Sequence, residues 1–121
     1  MIMNPGTVAP LLQTSTNAVG QPIEYPQAGT PEVTAFLAEL APGQRTVWHQ
    51  HPVPLLGYVL SGELTVYQAS GEKRTVRTGE VSLEAVDSIH YGINEGTGPL
   101  KMIVFVVGTK DVPFMVPITD T

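Results

Sequence analysis

A chain of 121 residues, 42% of them apolar, is long enough for one domain with a hydrophobic core and too short for two. Its 12 glycines and 11 prolines, spread along the chain, argue against a mainly helical protein and favour short strands joined by tight turns. A net charge of −5 with only six Lys and Arg residues argues against nucleic-acid and membrane partners, and the absence of cysteine excludes disulfides and thiolate ligands.

The start of the chain shows no export signal. Residues Met1 to Gly6 lack the positive region and the uninterrupted apolar stretch of a secretory signal peptide. The most apolar run, Lys101 to Val107, is too short to cross a bilayer. The sequence therefore predicts a cytoplasmic protein.

The predicted elements begin with an N-terminal arm and loop over residues 1–32. The composition of Val8 to Thr16 indicates an opening strand or arm, and residues 17–31 form a loop rich in Pro and Gly. The run Val33 to Leu40 has the composition of a helix, but a proline precedes it and Ala41-Pro42-Gly43 ends it. We therefore predict a strand there.

The remainder is predicted as further short strands separated by turns, with a tight turn at Ser61-Gly62 and a hairpin at residues 69–72. Strands that recur every eight to twelve residues indicate a sandwich or a barrel. We predict one domain over residues 1–121, with a barrel core at 33–108 and a C-terminal segment at 109–121. The predicted strands after Leu40 are 45–51, 57–60, 63–67, 74–77, 81–84, 89–93 and 100–107.

The three histidines of the chain fall in two short stretches. His49 and His51 are separated by one residue, and in a strand such residues point to the same face. His90 lies on another predicted strand, and in a barrel its imidazole completes a facial set of nitrogen ligands that suits zinc, copper, iron or nickel. A buried histidine pair or a solvated surface pair remains an alternative at this point, although buried imidazoles must satisfy their ring nitrogens.

The surroundings of these histidines resemble the two sequence motifs of the cupin superfamily. The first motif runs G-x5-H-x-H-x3-E-x6-G, and the matching positions are Gly43, His49, His51 and Gly62. The second runs G-x5-P-x-G-x2-H-x3-N, and the matching positions are Gly79, His90 and Asn94. The resemblance implies an all-β, single-domain cupin-type double-stranded β-helix, a jelly-roll barrel. It also implies one divalent metal ion per chain (Zn, Fe, Ni, Mn or Cu), held by His49, His51 and His90.

Two positions depart from the cupin motifs. The P-x-G turn reads Ala85-Val86-Asp87, a mild change because Asp also suits turns. Leu55 occupies the glutamate position, so the three neutral ligands leave a divalent ion with a formal charge of +2 and an open coordination position. Three-histidine sites occur among cupins, so the resemblance still implies a metal. Glu39, Glu84 and Glu95 are the candidates to replace the carboxylate. Solvated strand-end and loop positions are the alternative for Glu84 and Glu95, and Glu39 is interpreted as an exposed residue near a strand end.

The candidate substrate pocket consists of Leu55, Val59, Arg45 and Glu84. The two aliphatic side chains supply an apolar lining, and Arg45 is placed to meet an anionic ligand, with an exposed arginine as the alternative. No nucleophile elbow, phosphate-binding loop or dinucleotide fingerprint is present, and we assign no catalytic residue.

Two function hypotheses follow. The first is a metal-dependent enzyme, of oxygenase or isomerase type, that acts on a small and anionic molecule. The second is a non-catalytic cupin that binds or senses a small ligand. Because a small barrel has strand edges to cover and cupins are commonly dimers, we also expect a homodimer to which Val8 to Thr16 contributes.

Overall fold

The computed structural model describes residue 6 and residues 8–118. Apart from Gly6, the N-terminal stretch considered for an export signal lies outside the described residues, as do the last three residues of the predicted C-terminal segment. All regular structure in the described part is β, which confirms the predicted fold class. The strands are β1 Pro31–Leu40, β2 His49–Gln50, β3 Leu55–Ser61, β4 Glu63–Gln68, β5 Lys73–Arg77, β6 Val81–Leu83, β7 His90–Ile93, β8 Leu100–Thr109 and β9 Val116–Pro117.

The strands form two antiparallel sheets around one core. One sheet has the order β1-β8-β3-β6 and the other has the order β5-β4-β7-β2-β9. Side chains alternate along each strand, so β8 turns Leu100, Met102, Val104 and Val106 inward. They form one apolar cluster with Leu64, Val66 and Val76 of the opposite sheet. This is the predicted jelly-roll barrel, and the described residues include no helix long and apolar enough to cross a membrane.

The first strand shows how tertiary pairing overrides local composition. Residues 31–40 pair with β8 over their whole length, from Pro31 opposite Thr109 to Leu40 opposite Leu100. Phe36, Ala38 and Leu40 pack against the core while the alternate side chains face outward. The prediction of a strand here is confirmed. A helix at these residues would have left the backbone groups at the edge of β8 unpaired.

Two segments differ from the predictions, and residues 8–16 adopt one of their two predicted alternatives. The predicted strand at 45–51 is reduced to His49–Gln50, with an isolated bridge from Arg45 to Ile93. The arm at 8–16 forms no strand and makes one bridge, between Thr16 and Pro22. Strand β9 was not predicted, since a two-residue strand in a Pro-rich segment carries no periodic signal.

Asn94 joins the two motif regions. Its backbone carbonyl accepts a hydrogen bond from the Gly43 amide at 2.8 Å, and its own amide donates to the Gln44 carbonyl at 3.0 Å. Its fully buried side-chain amide donates to the carbonyls of Leu40 (3.0 Å) and Gly98 (2.8 Å). Asn94 therefore fixes the loop that leads into the histidine strand, and it is a structural residue of the site.

Gly62 combines a positive φ with close packing against a neighbouring backbone segment. It has a φ of 83°, and a Cβ there would lie 2.7 Å from the Pro99 carbonyl oxygen, whereas Gly43 has the same φ of 83° with open space around it. We expect Gly62→Ala to lower the free energy of unfolding by about 3 kcal/mol, and the matched Gly43→Ala by about 1 kcal/mol from backbone strain alone. Urea unfolding measures both losses. Equal losses would contradict the steric clash.

Candidate metal centre

The pairing of β2 with β7 builds the centre. His49 and His90 are direct cross-strand partners, so their side chains lie on the same face of the sheet. His51 follows two residues after His49 and points to the same side. The ring centres lie 4.8 Å apart for His49 and His51, 4.6 Å for His49 and His90, and 4.9 Å for His51 and His90. All three imidazoles are buried.

Each imidazole is oriented by a main-chain carbonyl. The Nδ1 atom of His49 lies 2.6 Å from the Val47 carbonyl oxygen, and that of His90 lies 2.8 Å from the Ser88 carbonyl oxygen. The Nδ1 atom of His51 lies 2.8 Å from the carbonyl oxygen of Phe114, in the segment between β8 and β9. Because a carbonyl only accepts, each Nδ1 must carry the proton and donate it.

This arrangement leaves each Nε2 with its lone pair. One ring nitrogen from each histidine lies within 4.8 Å of the other two, and the buried Nε2 of His90 has no hydrogen-bond partner among the described residues. An unpartnered buried nitrogen is costly unless something binds it. Metal-ligating histidines commonly donate their second ring nitrogen to a carbonyl in this way. The residues present therefore fit a divalent metal ion.

Burial also favours the neutral form of His49 and His51. It lowers the pKa of His51 to about 4, an effect that the Phe114 carbonyl and the negative charge of Glu84 only partly oppose. Burial likewise lowers the pKa of His49, and the hydrogen bond to the Val47 carbonyl partly opposes this lowering. Neutral imidazole is the form that binds metal ions. Protons therefore compete weakly for the nitrogens of His49 and His51 at neutral pH.

A cavity of about 170 Å³ adjoins the three imidazoles. Leu55 and Glu84, both proposed from the sequence as pocket residues, line it. The remaining lining is mostly apolar and includes Phe36, Leu100, Met102, Val104, Phe114 and Met115. The histidines thus lie at one side of an apolar space that is large enough for a small ligand.

Other residues singled out from the sequence lie elsewhere. Val59 is completely buried in the apolar core and is not part of the cavity lining. Arg45 stacks on the outer side of its sheet, with its guanidinium carbon 3.6 Å from the centre of the Tyr91 ring. Glu95 is exposed and accepts a hydrogen bond from the Tyr67 hydroxyl at 2.7 Å. The structure does not bring these three to the histidines.

Sequence reasoning missed the contribution of the C-terminal segment. Phe114 orients His51 and lines the cavity, and its ring packs on Phe36 with ring centres 5.2 Å apart. Strand β9 pairs with β2, and Val116 lies opposite Gln50. The only signal in the sequence is the apolar run Phe114-Met115-Val116 between two prolines, which indicates an ordered segment but not its contacts.

The lowered pKa of His51 predicts a pH dependence of the metal-free protein. An unfolded histidine binds protons below about pH 6.5, whereas folded His51 binds them only near pH 4, so the free energy of unfolding should fall as pH falls through this window. We expect a loss on the order of 1 kcal/mol from His51 between about pH 7 and pH 5.5, measured by urea unfolding in the presence of a chelator. His51→Gln should remove that part of the slope. An unchanged slope in this variant would contradict the assignment.

Several solved structures share the fold. The DMSP lyase DddQ from Ruegeria pomeroyi DSS-3 is 19% identical, with a TM-score of 0.61, and the match covers 70% of this chain and 42% of that chain. An uncharacterised conserved protein with a double-stranded β-helix domain from Klebsiella pneumoniae is 21% identical, with a TM-score of 0.58 and coverages of 73% and 84%. An oxalate oxidase in complex with the substrate analogue glycolate is 27% identical, with a TM-score of 0.59 and coverages of 69% and 45%.

The chain thus spans less than half the length of the lyase and oxidase chains. No protein with a curated description matches it significantly. The family model described as the cupin domain matches residues 36–107, which is more than half of the chain and contains all three histidines. The chain is therefore a member of the cupin family, a small all-β domain with a buried histidine cluster.

Proposed function

We propose that this cupin is a metal-dependent enzyme, of oxygenase or isomerase type, that acts on a small anionic molecule in the cavity. The observation that carries the proposal is the set of carbonyl-oriented, buried imidazoles beside an apolar space. His49, His51 and His90 would hold one divalent ion, drawn from Zn, Fe, Ni, Mn and Cu. When bound, such an ion supplies Lewis-acid chemistry and, if it is iron, oxygen activation.

The charge of the site favours an anionic ligand. Three neutral imidazoles leave a divalent ion its full charge, and the position of the motif glutamate in the cavity lining is occupied by Leu55. An anion completes the charge balance, while the surrounding apolar side chains contribute roughly 25 cal/mol per Å² of apolar ligand area that they bury. The oxalate oxidase that shares the fold was determined with a small hydroxy acid of this kind, glycolate.

A non-catalytic binding or sensing role is the second candidate, and one contact favours it. Among the described residues that line the cavity, Glu84 is the buried carboxylate, and it already pairs with Arg74.

Magnetic resonance of small acids incubated with the metal-loaded protein separates the two roles. Chemical conversion supports the enzyme, and binding without conversion supports the sensor.

The metal is tested by removing its ligands. The double variant His49→Ala/His90→Ala should lose stoichiometric divalent metal, because one nitrogen ligand remains out of three. Gln50→Ala is the matched control, since Gln50 lies between the ligands in sequence and is not part of the cluster. Elemental analysis after dialysis measures both. Full metal content in the double variant would overturn the proposed metal site.

The role of Leu55 is tested by restoring a carboxylate. Leu55→Glu should tighten divalent metal binding by roughly tenfold, about 1.4 kcal/mol, and weaken the binding of small carboxylates by occupying their position. Leu56→Glu is the matched control, because the neighbouring side chain points to the opposite face of β3. Calorimetry with metal, then with dicarboxylates or phenolic acids, gives both affinities. If Leu55→Glu changed neither affinity, residue 55 would not face the metal.

We also propose a homodimer in which the arm Val8 to Thr16 takes part. The outer face of the sheet exposes Val33, Leu37 and Phe105, and the arm exposes Leu11 and Leu12. Val33 and Leu37 lie on the edge strand β1, so a second copy would cover both an apolar face and an open edge. Light scattering at micromolar concentration should give twice the monomer mass, and Leu37→Lys should reduce it. A monomer mass for the wild type would contradict the dimer.

A further inference from the structure

Glu84 is a buried carboxylate that the proposed metal site does not use. It follows β6 directly, and its backbone amide donates to the Leu55 carbonyl at 2.9 Å, which places it beside residue 55 of β3. Its side chain is only 10% exposed and lines the same cavity as the three histidines. Its negative charge acts on two of them, since it partly opposes the burial that lowers the pKa of His49 and of His51. A charge in this position requires compensation.

One oxygen of this carboxylate already accepts hydrogen bonds from neighbouring side chains. Oε2 accepts hydrogen bonds from Arg74 Nη2 and from the Ser82 hydroxyl, the latter at 3.1 Å. Arg74 also donates through Nη1 to Ser82 at 2.6 Å, so the three side chains form one connected group. The charges of Glu84 and Arg74 compensate each other. The pair therefore adds no net charge that would repel an anion at the metal.

The other oxygen is left free. No hydrogen bond from the described residues reaches Oε1 of Glu84, and the rest of the cavity lining is mainly apolar. Glu84 is also outside the cluster of mutually close ligand nitrogens, so it lies beside the metal position rather than on it. An acceptor of this kind favours a ligand that brings a donor, because a ligand without one leaves a desolvated carboxylate oxygen unpaired.

We propose that Glu84 is a specificity-determining residue that selects α-hydroxy carboxylates with a small apolar group. In such a ligand the carboxylate goes to the metal, the hydroxyl donates to Oε1 of Glu84, and the apolar group packs against the cavity wall. The inference rests on the proposed function, because it needs a metal at the histidines to take the carboxylate. Arg74 and Ser82 are positioning residues, since they act through Glu84.

The test compares two probes that differ by one donor, α-hydroxyisovalerate and α-methoxyisovalerate, by calorimetry on metal-loaded protein. We expect the wild type to prefer the hydroxy acid, and Glu84→Gln to reduce that preference at least about tenfold. In the variant the amide oxygen should keep the contacts with Arg74 and Ser82, which leaves an NH₂ donor in place of the free acceptor. The preference is the affinity for the hydroxy acid divided by the affinity for the methoxy acid. Any difference in how strongly a hydroxyl and an ether bind the metal is the same in both proteins, so it cancels when the two preferences are compared.

Glu39→Gln is the matched control, because Glu39 also belongs to the cavity lining but is exposed at the end of β1. Its preference ratio should equal that of the wild type. Metal content is measured first on every variant. A wild type without metal overturns the proposed function and this inference with it. With metal present, an unchanged ratio in Glu84→Gln, or failure of both probes to bind the wild type, overturns this inference alone. Loss of metal in Glu84→Gln also overturns it, since Glu84 would then be a metal ligand.

Discussion

The hydrogen bonds from three imidazoles to main-chain carbonyls are the constraint on which the candidate metal centre depends. A neutral imidazole has one N–H and one lone pair, so holding the proton on Nδ1 fixes the lone pair on Nε2. The carbonyls of Val47 and Ser88 each lie two residues before the histidine they orient, so the backbone just before β2 and just before β7 orients two of the three rings. The third acceptor, in Phe114, is 63 residues from its histidine.

That distant acceptor makes the C-terminal segment part of the centre. The segment is attached to the barrel through β9 and through the Ile118 amide, which donates to the Trp48 carbonyl at 2.8 Å. It also supplies Phe114 and Met115 to the cavity lining. The contacts that attach this segment to the barrel therefore also orient His51, so displacing the segment would remove the proton acceptor of one candidate ligand.

The sequence predicts those features of the molecule that follow from short-range pattern. Alternation along a strand places His49 and His51 on one side, and the motif spacing places His90 opposite them. The strand at residues 31–40 was predicted from its flanking Pro and Gly against its helical composition. The contact between Phe114 and His51 was not predictable, since it depends on where the chain returns after β8. Arg45 shows the same limit, because its bridge to Ile93 aims the side chain at Tyr91 and away from the cavity.

The distribution of charge around the cavity has a thermodynamic consequence under the proposed function. The carboxylate expected in the first cupin motif is absent at Leu55, and Glu84, which is hydrogen-bonded by Arg74 and Ser82, lies outside the cluster of ligand nitrogens. The excess charge of a divalent ion is therefore left to the incoming anion. In an apolar cavity that attraction is screened less than in water. Linkage then requires that a bound anion tighten the metal by the same factor by which the metal tightens the anion. Under the proposed function the ligand, rather than the protein, would complete the centre.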